Sequence, residues 1–172
     1  VNLTRQEAIA AHNFLGVHET IFLDYPAPNL KNAEQFRISM DLSGIIKRVR
    51  PEVVFLPHPS DLHSDHSVIY ESALVALRPF SASSVKQIYC YETLSETEWA
   101  PYQGINPFHP NVFVDISVEI DAKLKAMEFF KSQLKEFPHP RSIEALTALA
   151  KLRGSTINSP SAEAFELVRA IM

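Results

Sequence analysis

Three histidines and two aspartates fall within nine residues of this chain, His58-Pro-Ser-Asp61-Leu-His63-Ser-Asp65-His66. Imidazoles and carboxylates at this density are the groups that ligate divalent transition metals and move protons near neutral pH. His63 and His66 lie three apart, so one helical turn brings both rings to one small volume. Asp61 and Asp65 stand close enough to orient or charge-stabilise them, as carboxylates do behind metal-bound histidines. The plainer reading is a polar loop whose histidines are incidental, with Asp65 capping the helix that follows. Spacing alone leaves both readings open.

The elements around the cluster strengthen the first. Val53-Val-Phe-Leu56 is a continuous apolar run, the pattern of a strand buried on both faces. A helix rich in Ala and Leu is predicted from about His66 to Leu77. The cluster therefore sits where a strand hands over to a helix, which in a parallel sheet is the mouth of the ligand crevice.

Along the rest of the chain, Thr4 with Glu7 reads as a capping box for a helix ending at Gly16. Thr20–Asp24 reads as a short strand leading into the turn Tyr25-Pro-Ala-Pro28. Leu42, Ile45, Ile46 and Val49 mark a second helix stopped by Pro51. Gln87–Tyr91 and Val112–Ile116 read as strands, with a Pro-bearing surface loop from Ser95 to Pro110 between them. Ser117 caps a long helix carrying Ile120, Leu124, Met127, Phe130 and Leu134 on one face. Ser142–Arg153, closed by Gly154, and Pro160–Met172 read as two final helices. This alternation predicts an α/β fold: one domain over residues 1–172, with a mostly parallel sheet and helices on both faces. Residue 1 is Val, and the first element is a helix whose natural place lies between two strands. The expectation is that one or two strands and a helix precede Val1.

Composition removes other classes. The 172 residues are 46% hydrophobic and 21% charged, an ordinary globular balance. A net charge of −4 without basic clusters argues against a nucleic-acid partner. No apolar run is long enough to span a bilayer. Only Gly16, Gly44, Gly104 and Gly154 occur, so no P-loop, dinucleotide fingerprint or G-x-S-x-G elbow can be written. Cys90 is the single cysteine; in a strand-like run it reads as a buried free thiol and favours a reducing cytoplasm.

The segment His58–His66 resembles the second signature of the PIG-L/LmbE-like deacetylases, which ends in His-x-Asp-His. The resemblance continues through Tyr91-Glu-Thr-Leu-Ser-Glu-Thr-Glu-Trp99, Phe113-Val-Asp-Ile-Ser117, Pro138-His-Pro-Arg-Ser142, Arg153-Gly154 and Ala162-Glu-Ala-Phe-Glu-Leu167. Arg5-Gln-Glu-Ala8 with Leu15-Gly16 is similar to the helix after the family's second strand. The resemblance implies a Rossmann-like α/β sandwich, here lacking its N-terminal strands. It also implies hydrolysis of the N-acetyl group of an N-acetylglucosaminyl-type conjugate with one Zn²⁺. It further implies His66 as a zinc ligand and His63 as the catalytic histidine that faces the substrate carbonyl, stabilises the oxyanion and later helps to protonate the amine, with Asp65 tuning His63. The family's first signature, Ala/Pro-His-Pro-Asp-Asp-Glu, is absent from this sequence. It supplies the other two ligands and the general base, so the chain as written is expected to be inactive alone.

Several residues stay open between roles. Asp24, at its predicted strand end, either touches a sugar hydroxyl or caps a turn, and Pro26-Ala27-Pro28 departs from the family's Pro-Asp-Gly there. Arg5 either reaches a sugar hydroxyl or phosphate or is a solvated helix arginine. His58 either stands behind the ligands or supports the loop. Trp99 and Tyr102 either stack on a sugar or bury the loop. His139 and Arg141 read as loop or interface support, and Glu96 and Glu98 as a solvated face. Family habit implies a homo-oligomer. Two other functions compete: a non-catalytic relative used for binding or assembly, and a metal-dependent amidase acting on a non-sugar acyl amine.

Overall fold

The computed structural model describes residues 2–100 and 107–172. These gather into two compact units. One combines the residues up to Phe22 with Phe113–Glu163; the other combines Leu23–Val112 with Ala164–Met172.

In the second unit, the apolar residues at helical spacing build α2 (Gln35–Val49). It ends where Arg50 turns left-handed at φ 51°, because the residue before Pro51 is barred from continuing the helix. Strand β1 (Val53–Pro57) follows, then α3 (Ser64–Ala76) and β2 (Gln87–Tyr91); β3 (Val112–Asp115) begins where the chain passes to the other unit. β1 and β2 run parallel, in register from Val53 opposite Gln87 to Pro57 opposite Tyr91. Their inward side chains, Leu56, Ile88 and Cys90, pack with Ala73, Leu77, Ala82 and Val85, flanked by Leu42 and Ile46. Full burial of a Leu or Ile side chain contributes about 1.5–3 kcal/mol, so this cluster anchors the sheet to α3. The other face of β1 is not buried as its apolar run suggests: Val53 is 41% and Phe55 50% exposed.

The strands order β1-β2-β4-β3, with β4 covering Ala162–Ala170. The sheet is mixed, since β4 runs antiparallel to β2. This corrects the expectation of a mostly parallel sheet with a final helix over 160–172. Ala, Glu, Leu and Arg gave that stretch helical propensity, but pairing satisfies the second edge of β2 and overrides it. Arg169 also donates through Nη2 to the Leu77 carbonyl at the end of α3. Thr20–Asp24 forms no strand: no ladder partner meets it among the described residues, and Asp24 takes φ 55°.

The first unit holds α1 (Asn2–Leu15), α4 (Ile120–Glu128) and α5 (Ile143–Thr156). α1 already starts at Asn2, so Thr4 is no cap; Glu7 is buried and accepts from Ser132 N at 2.8 Å and Ser132 Oγ at 2.6 Å. α4 is shorter than its apolar stripe implied. Ser117 spends its hydroxyl on Asp115 rather than on a helix end, and Phe130 and Leu134 lie in the turns beyond. In α5 Ser142 does cap, accepting from Ala145 N at 3.1 Å. Gly154 does not close the helix but lies inside its last turn, where the chain folds back closely. A Cβ there would stand 2.5 Å from Ser159 O and 2.8 Å from Ser161 N, both backbone atoms. Gly154→Ala is therefore expected to destabilise the protein by about 1–3 kcal/mol, read as a lower urea midpoint with an unchanged slope.

Candidate active site

Parallel pairing sets the C-terminal ends of β1 and β2 side by side. The chain leaves β1 through His58, turns with Asp61 N donating to His58 O at 3.2 Å, and enters α3 with His63 as its N-cap. The loop is fastened to the turn after β2 by Leu62 N donating to Glu96 O at 3.0 Å. Glu96 is buried there, contrary to the solvated face its sequence suggests, while Trp99 is exposed. Tyr102 lies outside the described residues.

His63 and His66 come together as their spacing predicts, with rings stacked 5.3 Å apart at 20°. Their partners fix opposite tautomers. His66 Nδ1 lies 2.7 Å from Asp61 Oδ2; a carboxylate only accepts, so the proton sits on Nδ1 and Nε2 keeps its lone pair. His63 Nδ1 accepts the Asp65 backbone N–H at 3.2 Å, so in the neutral ring the proton sits on Nε2. One ring offers a lone pair and its neighbour offers a donor. Asp65 meets His63 through this backbone N–H, while its buried carboxylate accepts from Leu30 N at 3.1 Å. The carboxylate behind a site histidine is thus Asp61, whose side chain is fully buried.

Asp61 has a second partner that sequence reasoning did not find: Thr97 Oγ1 donates to Oδ1 at 2.7 Å. Nothing in local spacing connects residues so far apart. Glu166 was missed in the same way. His58 is 1% exposed, with Nδ1 accepting from Ser60 N at 3.3 Å and Nε2 3.5 Å from Glu166 Oε2. That carboxylate also accepts from His109 N at 2.9 Å, and the Phe108 ring packs edge-on against His58 at 5.4 Å. His58 thus braces the loop against β4. Burial pushes its pKa below the ordinary histidine range, although Glu166 and Asp61 pull upward. Cys90, in the core beneath the sheet's end, is a thiol pushed up to about 12 by burial.

The remaining candidates lie elsewhere in the chain. Asp24 takes a left-handed backbone conformation, φ 55°. Arg5 belongs to the first unit, with its guanidinium 4.8 Å over the Phe22 ring. His139 accepts from Arg141 N, and Arg141 donates to Gln133 Oε1 at 2.7 Å, which makes both loop supports. Among the described residues no group of three His, Cys, Asp or Glu side chains is placed to hold a metal ion. His66 Nε2 fits one ligand position of a zinc site; these residues do not make a complete one.

Comparison with known proteins places the chain. The family described as PIG-L, GlcNAc-PI de-N-acetylase, matches residues 1–77, which include the histidine cluster. The uncharacterized deacetylase YaiS of Escherichia coli (strain K12) is 31% identical over 133 residues, 74% of this chain. The match spans 64% of that protein's length. Two solved structures share the fold. The conserved protein TT1542 from Thermus thermophilus superposes with a TM-score of 0.77 at 24% identity, over 99% of this chain and 75% of its own. N,N'-diacetylchitobiose deacetylase from Pyrococcus horikoshii does so with 0.70 at 22% identity, over 98% and 64%.

The depressed His58 pKa has a testable consequence. The unfolded chain takes up this proton more readily than the folded one, so the stability His58 contributes is complete above its ordinary pKa of about 6.5. It is lost as pH falls from there through the folded value. Urea midpoints should fall between about pH 7.5 and 5.5, and His58→Gln should flatten that slope.

Proposed function

Because this chain belongs to the PIG-L/LmbE-like family, we propose that it forms part of the active site of a hydrolase that removes the N-acetyl group from an amino-sugar conjugate. The observation that carries the reading is the pair of stacked imidazoles in opposite tautomers at the C-terminal end of β1. Amide hydrolysis needs a water made nucleophilic at neutral pH and a donor aimed at the acyl oxygen as it gains charge. His63 Nε2–H is that donor, held in place by the helix start itself. His66 Nε2 is the position offered to zinc, the metal this reading requires. When bound, zinc supplies a water whose pKa is lowered to about 7.

The two further zinc donors and the general base come, on this reading, from outside the described residues. Asp61 keeps the His66 ring from flipping, so its lone pair stays outward. His63 cannot give up its Nε2 proton while Nδ1 holds the Asp65 N–H, since an imidazolate would result. On this reading the leaving amine takes the proton that the general base has removed from the attacking water, and His63 stabilises charge without the amine protonation that the family resemblance implies for it. Asp24 is retained as a candidate substrate contact. A cytoplasmic setting accords with the free Cys90 thiol.

The second reading offered by the sequence is a relative that binds without catalysis. Zinc content of the purified protein separates the two: about one per chain for the enzyme, none for the binder. For the enzyme, His63→Ala should lower kcat on N-acetylglucosaminyl conjugates by roughly 100–1,000-fold with little change in KM. His66→Ala should lose zinc as well as activity. Preferential turnover of N-acetylated amino acids would move the substrate class to non-sugar amides, and undiminished activity in His63→Ala would refute the donor role.

A further inference from the structure

We propose that Thr97 is a positioning residue that selects which ring nitrogen of His66 faces the site. The proposal rests on reading His66 as a site residue, and its geometry is independent of that reading. Thr97 Oγ1 accepts the Thr93 backbone N–H at 2.8 Å, which occupies a lone pair and leaves its hydroxyl proton to be directed elsewhere. That proton goes to Asp61 Oδ1 at 2.7 Å. The other carboxylate oxygen takes the His66 Nδ1 proton, also at 2.7 Å. The donors converge on Asp61 from both sides, Thr93 N–H through the Thr97 hydroxyl and His66 Nδ1–H directly, because a backbone amide only donates and a carboxylate only accepts.

Each link is geometrically held. Thr97 N donates to Thr93 O at 2.9 Å, so residues 93–97 form a closed turn that cannot rotate the hydroxyl away cheaply. Leu62 N on Glu96 O ties this turn to the loop carrying Asp61. The Asp61 side chain is fully buried, so no bulk water stands ready to replace a lost donor on Oδ1. Removing the Thr97 hydroxyl leaves Oδ1 unsatisfied and the carboxylate free to turn. The His66 ring then loses the fixed acceptor that holds its proton on Nδ1. Thr97 touches neither substrate nor reacting atoms in this scheme and acts only through Asp61.

The test reads tautomers directly, without metal or substrate. Protein labelled with ¹⁵N-histidine is compared as wild type, Thr97→Val, Thr97→Ala and Thr97→Ser by long-range ¹H–¹⁵N spectra at about pH 8.5, above the ordinary histidine range. Wild type and Thr97→Ser are expected to show His66 as a single Nδ1–H tautomer with widely separated ring nitrogens. In Thr97→Val and Thr97→Ala that separation should shrink as both tautomers populate. Unchanged signals of His58, buried in the same unit against Ser60 and Glu166, certify an intact fold, and whichever of the two hydroxyl-less variants retains them is the one read. An unaltered Nδ1–H tautomer in that variant overturns the proposal, as does failure of Thr97→Ser to preserve it. Absent turnover in wild type that has bound zinc, with a Thr97-dependent tautomer, would instead sink the deacetylase reading and leave this one standing.

Discussion

A buried carboxylate must have both its oxygens satisfied, and at Asp61 that requirement joins parts of the chain that share no local register. One oxygen is claimed by the first turn of α3 and the other by the turn that follows β2. The two loops that leave neighbouring parallel strands are thereby fastened at a single group. Without such a fastening, loops at a crevice are the least stable parts of an α/β unit. With it, the entry into α3 is fixed, and with the entry the orientation of both histidines.

The same economy governs the two rings. A helix start has backbone N–H groups without internal partners, and caps are normally supplied by Ser, Thr, Asp or Asn. Here His63 takes that duty, and the cap bond decides which of its nitrogens carries the proton. Helix capping and the chemical identity of the exposed edge are one interaction. His66 is set in the opposite sense by a carboxylate, so rings of the same residue type, stacked on each other, offer different chemistry at their Nε2 atoms. At the start of the loop His58, sealed between Phe108, Ser60 and Glu166, gives it a rigid base.

How much of this the sequence disclosed follows from the range of each interaction. The pairing of His63 with His66 was legible because it depends on one helical turn, and β1, α3 and β2 were legible from apolar runs of the right length. The α/β class followed from their alternation. What escaped was set by partners distant in the chain. Ala162–Ala170 has the composition of a helix and becomes a strand because β2 has an open edge. Asp65 looked like the carboxylate behind His63, yet its side chain serves Leu30 and Asp61 takes the neighbouring ring. Gly154 looked like a helix stop, whereas its need is for closeness to the backbone of Ser159 and Ser161. Thr97 and Glu166 lie inside stretches that resemble the family, but nothing local ties either to the histidine loop.

Both compact units are discontinuous in the chain, each closing with a segment from far along it. For the unit that holds the histidines, the closing segment is most of β4. During synthesis β1, α3 and β2 emerge well before the strand that supplies Glu166 and covers the second edge of β2. In that interval the edge of β2 stands unpaired and His58 lacks its brace, a state open to wrong pairing with other chains. The loop that carries the histidines is thus finished only once β4 has emerged. That strand becomes a control point for the yield of folded protein, although it bears neither imidazole.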